Sequence, residues 1–254
     1  MTLSIVSSSL IEAQRAPAAA AIVVPSRAPD WRANEIAEIS HELRNSLCVV
    51  RNAARLLRLP IGADGIDGAR VLIERHVGQM SRFIDDLLDD SLVSGHKKTL
   101  QLTHLDLRGT IGNAIDAIAP DLTRRGHQLT IHLPAEPLWV NADGARLEQV
   151  FSNILINAAK YTPDGGEIVV TMEHLGDKAS VRIRDSGIGI APELIARVFD
   201  MFVQADPAAL RAEGGHGIGL AVVRDLVEQH GGIVRATSAG LGTGSEVTVL
   251  LPTL

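Results

Sequence analysis

Ser40-His41-Glu42-Leu43-Arg44-Asn45-Ser46-Leu47 lies inside a run with apolar residues at Ile36, Ile39, Leu43, Leu47, Val50, Ala54 and Leu57. That three-four spacing is a bundle-facing helical stripe. At about 100° per residue, His41 falls two positions from both Ile39 and Leu43 and so points away from the stripe. The helix is predicted to hold an imidazole in solvent with a carboxylate directly after it. An exposed imidazole titrates near about pH 6.5, so at neutral pH it is mostly uncharged and nucleophilic. Glu42 can accept the proton of one ring nitrogen and leave the other to attack an electrophile. The competing reading is an ordinary surface histidine on a charged helix, and distant stretches of the chain decide between the two.

Working outward, the helical pattern runs from Trp31 to Leu59 and stops at Pro60, which cannot continue it. After the turn Pro60–Gly65, a second amphipathic run from Ile66 to Ser94 puts Ile73, Val77, Met80, Ile84, Leu87 and Leu88 on one face, and Gly95 ends it. Two long helices joined by a short turn make an antiparallel α-helical hairpin. One hairpin cannot cover its own stripe, so residues 31–95 are predicted to form a homodimer, a dimeric four-helix bundle. Residues 1–30, rich in Ser, Ala and Pro without a sustained period, read as a mobile N-terminal tail. Residues 96–105 read as a linker.

From 106 to 254 the pattern is mixed. Leu107–Arg125 reads as a helix, and Gln128–Leu133 and Leu138–Asn141 read as strands. Asp143 is placed to cap a helix over 144–161. Two alternating runs, Glu167–His174 and Lys178–Arg184, are joined at Gly176-Asp177. A helix over Ile218–His230 and strands at Ile233–Ser238 and Ser245–Leu250 follow. Strands in runs with helices between them predict an α/β sandwich, one mixed sheet with helices on one face.

Composition narrows the function. A hydrophobic share of 46% allows a sizeable core, and only 3% aromatics means that Leu, Ile, Val and Ala must fill it. A net charge of −6, with no basic block, argues against a nucleic-acid partner. A single cysteine, Cys48, excludes an internal disulfide framework and fits a reducing, cytoplasmic setting. The apolar run Ala18–Val24 is too short to span a bilayer, and no basic region precedes it, so neither a membrane span nor a signal peptide is expected.

Four stretches of the second region carry chemistry. In Asn153-Ile154-Leu155-Ile156-Asn157-Ala158-Ala159-Lys160-Tyr161, the residues Asn153, Asn157 and Lys160 share one helix face. An amide oxygen suits a hard cation such as Mg²⁺, and a lysine suits a phosphate. The alternative is a plain solvent face. Asp185-Ser186-Gly187-Ile188-Gly189-Ile190 follows a strand. Its glycines let the backbone approach a flat ligand, and Asp185 can accept a hydrogen bond from an exocyclic amine such as that of adenine. The alternative is a simple turn. Phe199-Asp200-Met201-Phe202 either packs under a loop or touches the ligand. Gly214-Gly215-His216-Gly217-Ile218-Gly219-Leu220 opens a helix whose N-terminus favours anions. Its spacing departs from the dinucleotide fingerprint, and the sequence contains no P-loop.

Taken in order, these stretches resemble one family. His41-Glu42-Leu43-Arg44-Asn45 is similar to the phosphoacceptor box of sensor histidine kinases. Asn153–Tyr161, Asp185–Gly189, Phe199–Phe202 and Gly215–Gly219 are similar to their N, G1, F and G2 boxes. The resemblance implies a dimerisation and histidine phosphotransfer hairpin followed by a catalytic ATP-binding domain of the GHKL group, with the Bergerat α/β sandwich. It implies that His41 takes the γ-phosphoryl group of ATP with Glu42 as general base, and that Asn157 binds Mg²⁺ with Asn153 beside it. Lys160 would contact phosphate, Tyr161 would pack near the nucleotide, and Asp185 would read the adenine amine in a pocket shaped by Gly187 and Gly189. Phe199 and Phe202 would belong to the ATP site. Gln204–Gly214 would form the ATP lid, with Arg211 as a phosphate contact, and Gly215, Gly217 and Gly219 would hold its end. The phosphoryl group would then be expected to pass to an Asp in the receiver domain of a separate response regulator. Input would come from an upstream sensor partner or through the tail.

Two positions qualify the resemblance. Ser46 stands where the family often has Pro, which allows a straighter helix. Asn45 stands where the family often carries a residue used against the phosphorylated regulator, so phosphatase activity is an expectation. Two other readings share most of these features: a non-catalytic dimeric scaffold that binds a regulator or another kinase, and a GHKL ATPase without a histidine substrate.

Overall fold

The computed structural model describes residues 4–5, 34–60, 62–88, 99–203 and 217–254, and its side chains are described outside 4–5, 34–42, 79 and 81–88. Two compact units divide the chain: one lies within Pro25–Lys97 together with Asp206–Ile218, the other within Met1–Val24, Lys98–Ala205 and Gly219–Leu254.

The first unit is the helical hairpin, α1 (Asn34–Leu56) and α2 (Ala63–Leu88). α1 runs unbroken through Ser46, consistent with the absence of Pro there. Its seam differs from the expected stripe. Ser46, Ala53 and Ala69 are the buried residues of the described hairpin, whereas Leu47 is 53% exposed and Val77 48% exposed. Small side chains at this seam let the two helix backbones approach, and the exposed larger residues are the part of the stripe that one hairpin leaves uncovered. Of the predicted mobile tail only Ser4 and Ile5 are described, and they form a strand; residues 89–98, which include the first three of the 96–105 linker, lie outside the described residues.

The second unit is an α/β sandwich. Its main sheet has six strands in the order β1-β3-β5-β6-β8-β7: β1 (Ser4–Ile5), β3 (Gln128–His132), β5 (Glu167–Leu175), β6 (Lys178–Asp185), β8 (Ser245–Pro252) and β7 (Ile233–Thr237). β1 and β5 pair parallel to β3, and the remaining pairs are antiparallel. The expectation of a single sheet is corrected. β2 (Thr103–Asp106), which falls partly in the expected linker, pairs with β4 (Trp139–Ala142) as a separate two-stranded sheet. That pairing joins residues far apart in sequence, so no local pattern announces it.

α3 (Leu107–Arg125), α4 (Gly144–Tyr161) and α6 (Gly219–Gln229) supply the helical layer, and a short α5 (Pro192–Ile195) follows β6. Alternate residues of the strands face the core: Ile168, Val170 and Met172 on β5, Val181 and Ile183 on β6, Val249 and Leu251 on β8. Asp106 caps α3 by accepting from Arg108 N at 3.2 Å, and Asp143 caps α4 by accepting from Arg146 N at 3.2 Å. Gly126 ends α3 in the left-handed conformation, φ 67°. Among the described residues, no helix is long and apolar enough to cross a membrane.

Candidate functional site

The inward row of β6 ends in a carboxylate. Val181, Ile183 and Asp185 alternate on one face, and pairing puts Asp185 between Ile168 of β5 and Ser245 of β8. Where the hydrophobic row runs out, an acid takes the last inward position, 7% exposed. A buried carboxylate needs donors. Asp185 Oδ1 accepts from Gly187 N at 2.8 Å and from Ser245 N at 3.3 Å, and Oδ2 accepts from the Ser245 hydroxyl. Each oxygen has two lone pairs, so these bonds fill Oδ1 and leave one acceptor site on Oδ2.

Asp185 lies in a pocket with apolar walls. Ile154 and Ala158 come from α4, Ile183 from β6, Leu220 from α6, and Ala236 and Val247 from the last two strands. Polar groups at the pocket are Asn157, Tyr161, Asp185 and Ser245, and Gly189 contributes backbone. An apolar slot with a few convergent polar groups is the usual build of a small-molecule site.

The loop after Asp185 is held very close to its neighbours. A Cβ at Gly187 would lie 2.4 Å from Tyr161 O and 2.6 Å from Asp185 Oδ1. Gly189 has φ 70°, and a Cβ there would lie 2.1 Å from Gly240 O. Ile188 N donates to Tyr161 O at 3.0 Å, tying this loop to the end of α4. Ser238 Oγ accepts from Ile190 N at 3.0 Å and donates to Gly244 O at 2.7 Å, so the turn between β7 and β8 braces the same loop.

Asn157 lines the pocket, while Asn153 lies one turn earlier on α4 and donates through Nδ2 to Gly219 O at 3.3 Å. Lys160 Nζ is 3.4 Å from Tyr161 Oη and 4.8 Å from the ring centroid. Burial pushes the Tyr161 phenol above its ordinary value, so the ring presents a neutral hydroxyl. Among the described residues, no group of three or more His, Cys, Asp or Glu could hold a metal.

The fold therefore brings Asn157, Tyr161, Asp185 and Gly189 to one pocket, with Gly187 bonded to Asp185 and Gly219 to Asn153. Phe199 and Phe202 do not line it. Phe199 is 3% exposed in the core, and Val198 and Val203 form that wall instead. Phe202 holds φ 64°, uncommon for a bulky residue. Gly217 also has positive φ, 68°. The expected lid, Gln204–Gly214 with Arg211, and Gly215 at its end lie outside the described residues, as do the side chains of His41 and Glu42, whose backbones are helical in α1. Asn45 is exposed on α1. Sequence reading missed Ser238 and Ser245. The glycine-rich turn Gly240-Leu241-Gly242-Thr243-Gly244 between them was the available signal.

The family model described as "His Kinase A (phospho-acceptor) domain" matches residues 31–93. The one described as "Histidine kinase-, DNA gyrase B-, and HSP90-like ATPase" matches residues 142–254. The chain is 34% identical over 227 residues to histidine protein kinase DivJ of Caulobacter vibrioides, covering 88% of this chain and 38% of that protein. The structure of ShkA in complex with AMPPNP is similar at 26% identity and TM-score 0.63, covering 87% of this chain and 46% of that one. The complex of histidine kinase ThkA with response regulator TrrA shares the fold at 21% identity and TM-score 0.70, covering 88% of this chain and 62% of that one. The chain spans about two fifths of the length of the first curated relatives it matches, 38% and 42%. With both domain models matching in the order expected from the boxes, the chain belongs to the sensor histidine kinase family.

Proposed function

We propose that this chain is an ATP-dependent protein-histidine kinase in which the hairpin, 31–95, carries the phosphoacceptor and residues 106–254 bind the nucleotide, with 96–105 between them. The observation that carries the reading is the pocket that gathers Asp185, Gly189, Asn157 and Tyr161. Its apolar walls suit a flat purine, and the open acceptor site of Asp185 suits the adenine amine.

In this reading a ring nitrogen of His41 forms a bond to the γ-phosphorus. The bond from phosphorus to the bridging oxygen breaks, ADP leaves with that electron pair, and Glu42 takes the ring proton. The protein's task is positioning and charge neutralisation. Lys160 and the α6 N-terminus, beginning at Gly219, would supply positive charge to the phosphates. Mg²⁺, when bound, would draw charge off the transferred group. Asn157 fits it, because a magnesium ion is commonly held by one or two protein oxygens and otherwise by phosphates and water.

The phosphoryl group then passes to an Asp of a separate response regulator, with Asn45 serving the reverse phosphatase step. We place the protein in the cytoplasm as a homodimer. Exposed Leu47, Leu57, Ile66 and Val77 on the hairpin support the dimer, since a second copy would cover them.

Incubation with γ-labelled ATP and Mg²⁺ tests the reading. The expected label is acid-labile, alkali-stable and absent from His41→Ala. Nucleotide binding without label would favour the non-catalytic scaffold, and hydrolysis indifferent to His41→Ala would favour an ATPase with another purpose.

A further inference from the structure

Among the described residues, two hydrogen bonds tie the two ends of α6 to α4 and its N-cap. Near the pocket, Asn153 Nδ2 donates to Gly219 O at 3.3 Å. At the far end, Asp143 N donates to His230 Nε2 at 3.0 Å. Residue numbers rise along α4 as they fall along α6 from one bond to the other, so the helices are antiparallel. Buried Leu147 and Val150 on α4, and Val222 and Leu226 on α6, lie between them in sequence. These apolar side chains resist separation, and the two bonds add a directional constraint on the sliding of one helix along the other.

Only one tautomer of the His230 ring satisfies both of its contacts. Its Nδ1 is 2.7 Å from Leu226 O, a carbonyl that can only accept, so Nδ1 carries the proton. The Asp143 amide can only donate, so Nε2 is bare. Asp143 meanwhile caps α4 through Oδ1 and accepts from Gln101 N through Oδ2 at 3.0 Å. One residue thus collects the start of α4, the segment leading into β2 and the end of α6.

We propose that His230 is a positioning residue for the nucleotide site. By holding Asp143 it sets the register of α4 against α6, and thereby the placement of Asn153 and Asn157 relative to Gly219 and Leu220. This rests on the nucleotide-binding reading above.

The test uses the full chain as wild type, His230→Ala and His230→Gln, whose Oε1 can stand where Nε2 stands and accept the same amide. Binding of a fluorescent ATP analogue with Mg²⁺ and autophosphorylation kinetics are measured, with thermal unfolding to verify folding. Loss of one aligning hydrogen bond should raise Kd and KM in His230→Ala roughly three- to tenfold, with kcat changed less than about twofold, and His230→Gln should recover most of the loss. In the wild type, ¹⁵N shifts of the ring should report the neutral Nδ1–H form. A bare Nδ1, unchanged KM in a folded His230→Ala, or His230→Gln as weak as His230→Ala overturns the proposal. If His230→Ala does not fold, the tautomer and the Gln variant decide. Failure of the wild type to bind the analogue would sink the nucleotide reading and this proposal together, whereas wild-type binding with an indifferent His230→Ala sinks only the positioning role.

Discussion

Asp185 and Ser245, the last inward residue of β6 and the first residue of β8, form a two-point contact: the Ser245 hydroxyl donates to Oδ2 and its backbone N–H to Oδ1 at 3.3 Å. The carboxylate is therefore oriented before any ligand arrives. Ser245→Ala removes one aligning donor and should weaken nucleotide binding by about 1 kcal/mol, roughly fivefold. Asp185→Asn replaces an acceptor with a group whose NH₂ faces donors, and should weaken binding by about 2–3 kcal/mol. Titration calorimetry with an ATP analogue checks both, and wild-type affinity in Asp185→Asn would remove Asp185 from the site.

Glycines near the pocket and away from it should respond differently to alanine. Gly189 has φ 70° and a Cβ there would lie 2.1 Å from Gly240 O, whereas Gly165 has φ 81° with nothing within 4 Å. Gly165→Ala should cost only the left-handed backbone preference, about 1 kcal/mol. Gly189→Ala must also displace the 240–244 turn and should cost more than about 2 kcal/mol, with loss of nucleotide binding. Denaturant unfolding distinguishes them, and equal costs would show that the turn yields freely.

Asp106 should make the second unit acid-sensitive. Burial raises its pKa, but hydrogen bonds from Arg108 and the backbone N–H groups of Arg108 and Leu138 outweigh it, and the net shift is downward. A carboxyl depressed in the fold contributes stability above its unfolded pKa, and that contribution is lost as pH falls through the folded value. Asp106→Ala should cost about 1 kcal/mol at neutral pH as a lost cap, and the difference from wild type should shrink below about pH 4. A constant difference across that range would show that the cap acts without its charge.

His76 should do the same for the hairpin nearer neutrality. Burial first, then the Arg75 charge, hold its pKa below the ordinary 6.5, and Nδ1 is buried without a partner among the described residues. The fold favours the neutral ring. Its contribution is complete above the unfolded pKa, near 6.5, and is lost as pH falls through the lowered folded value. Hydrogen exchange of the α2 amides should quicken as pH is lowered from about 7.5 to about 5, after correction for intrinsic rates. His76→Gln should abolish that trend, and a trend that survives the substitution would place the titrating group elsewhere.

The hairpin's exposed apolar residues predict its self-association. Leu47, 53% exposed, should be covered in a dimer. Leu47→Glu would bury a charge there and should shift the chain to monomer in sedimentation equilibrium while leaving nucleotide affinity intact. An undiminished dimer would place the interface on another face.

Periodicity alone located most of the elements. The two long helices, the Asp143 cap and the alternating strands β5 and β6 are local patterns, because a helix or a half-buried strand writes its own repeat into consecutive residues. Even Asp185 was legible, as an acid at the end of an alternating run followed by glycines. What remained hidden joins distant residues. Thr103 pairs with Ala142, Ser245 reaches Asp185 across 60 positions, and His230 reaches Asp143 across 87. No local repeat encodes such bonds; they exist only when packing sets two segments side by side. The same holds for which side chains form a wall. Both Val198 and Phe199 are apolar, and the backbone path of the folded loop, not composition, decided that the valine faces the pocket and the phenylalanine the core.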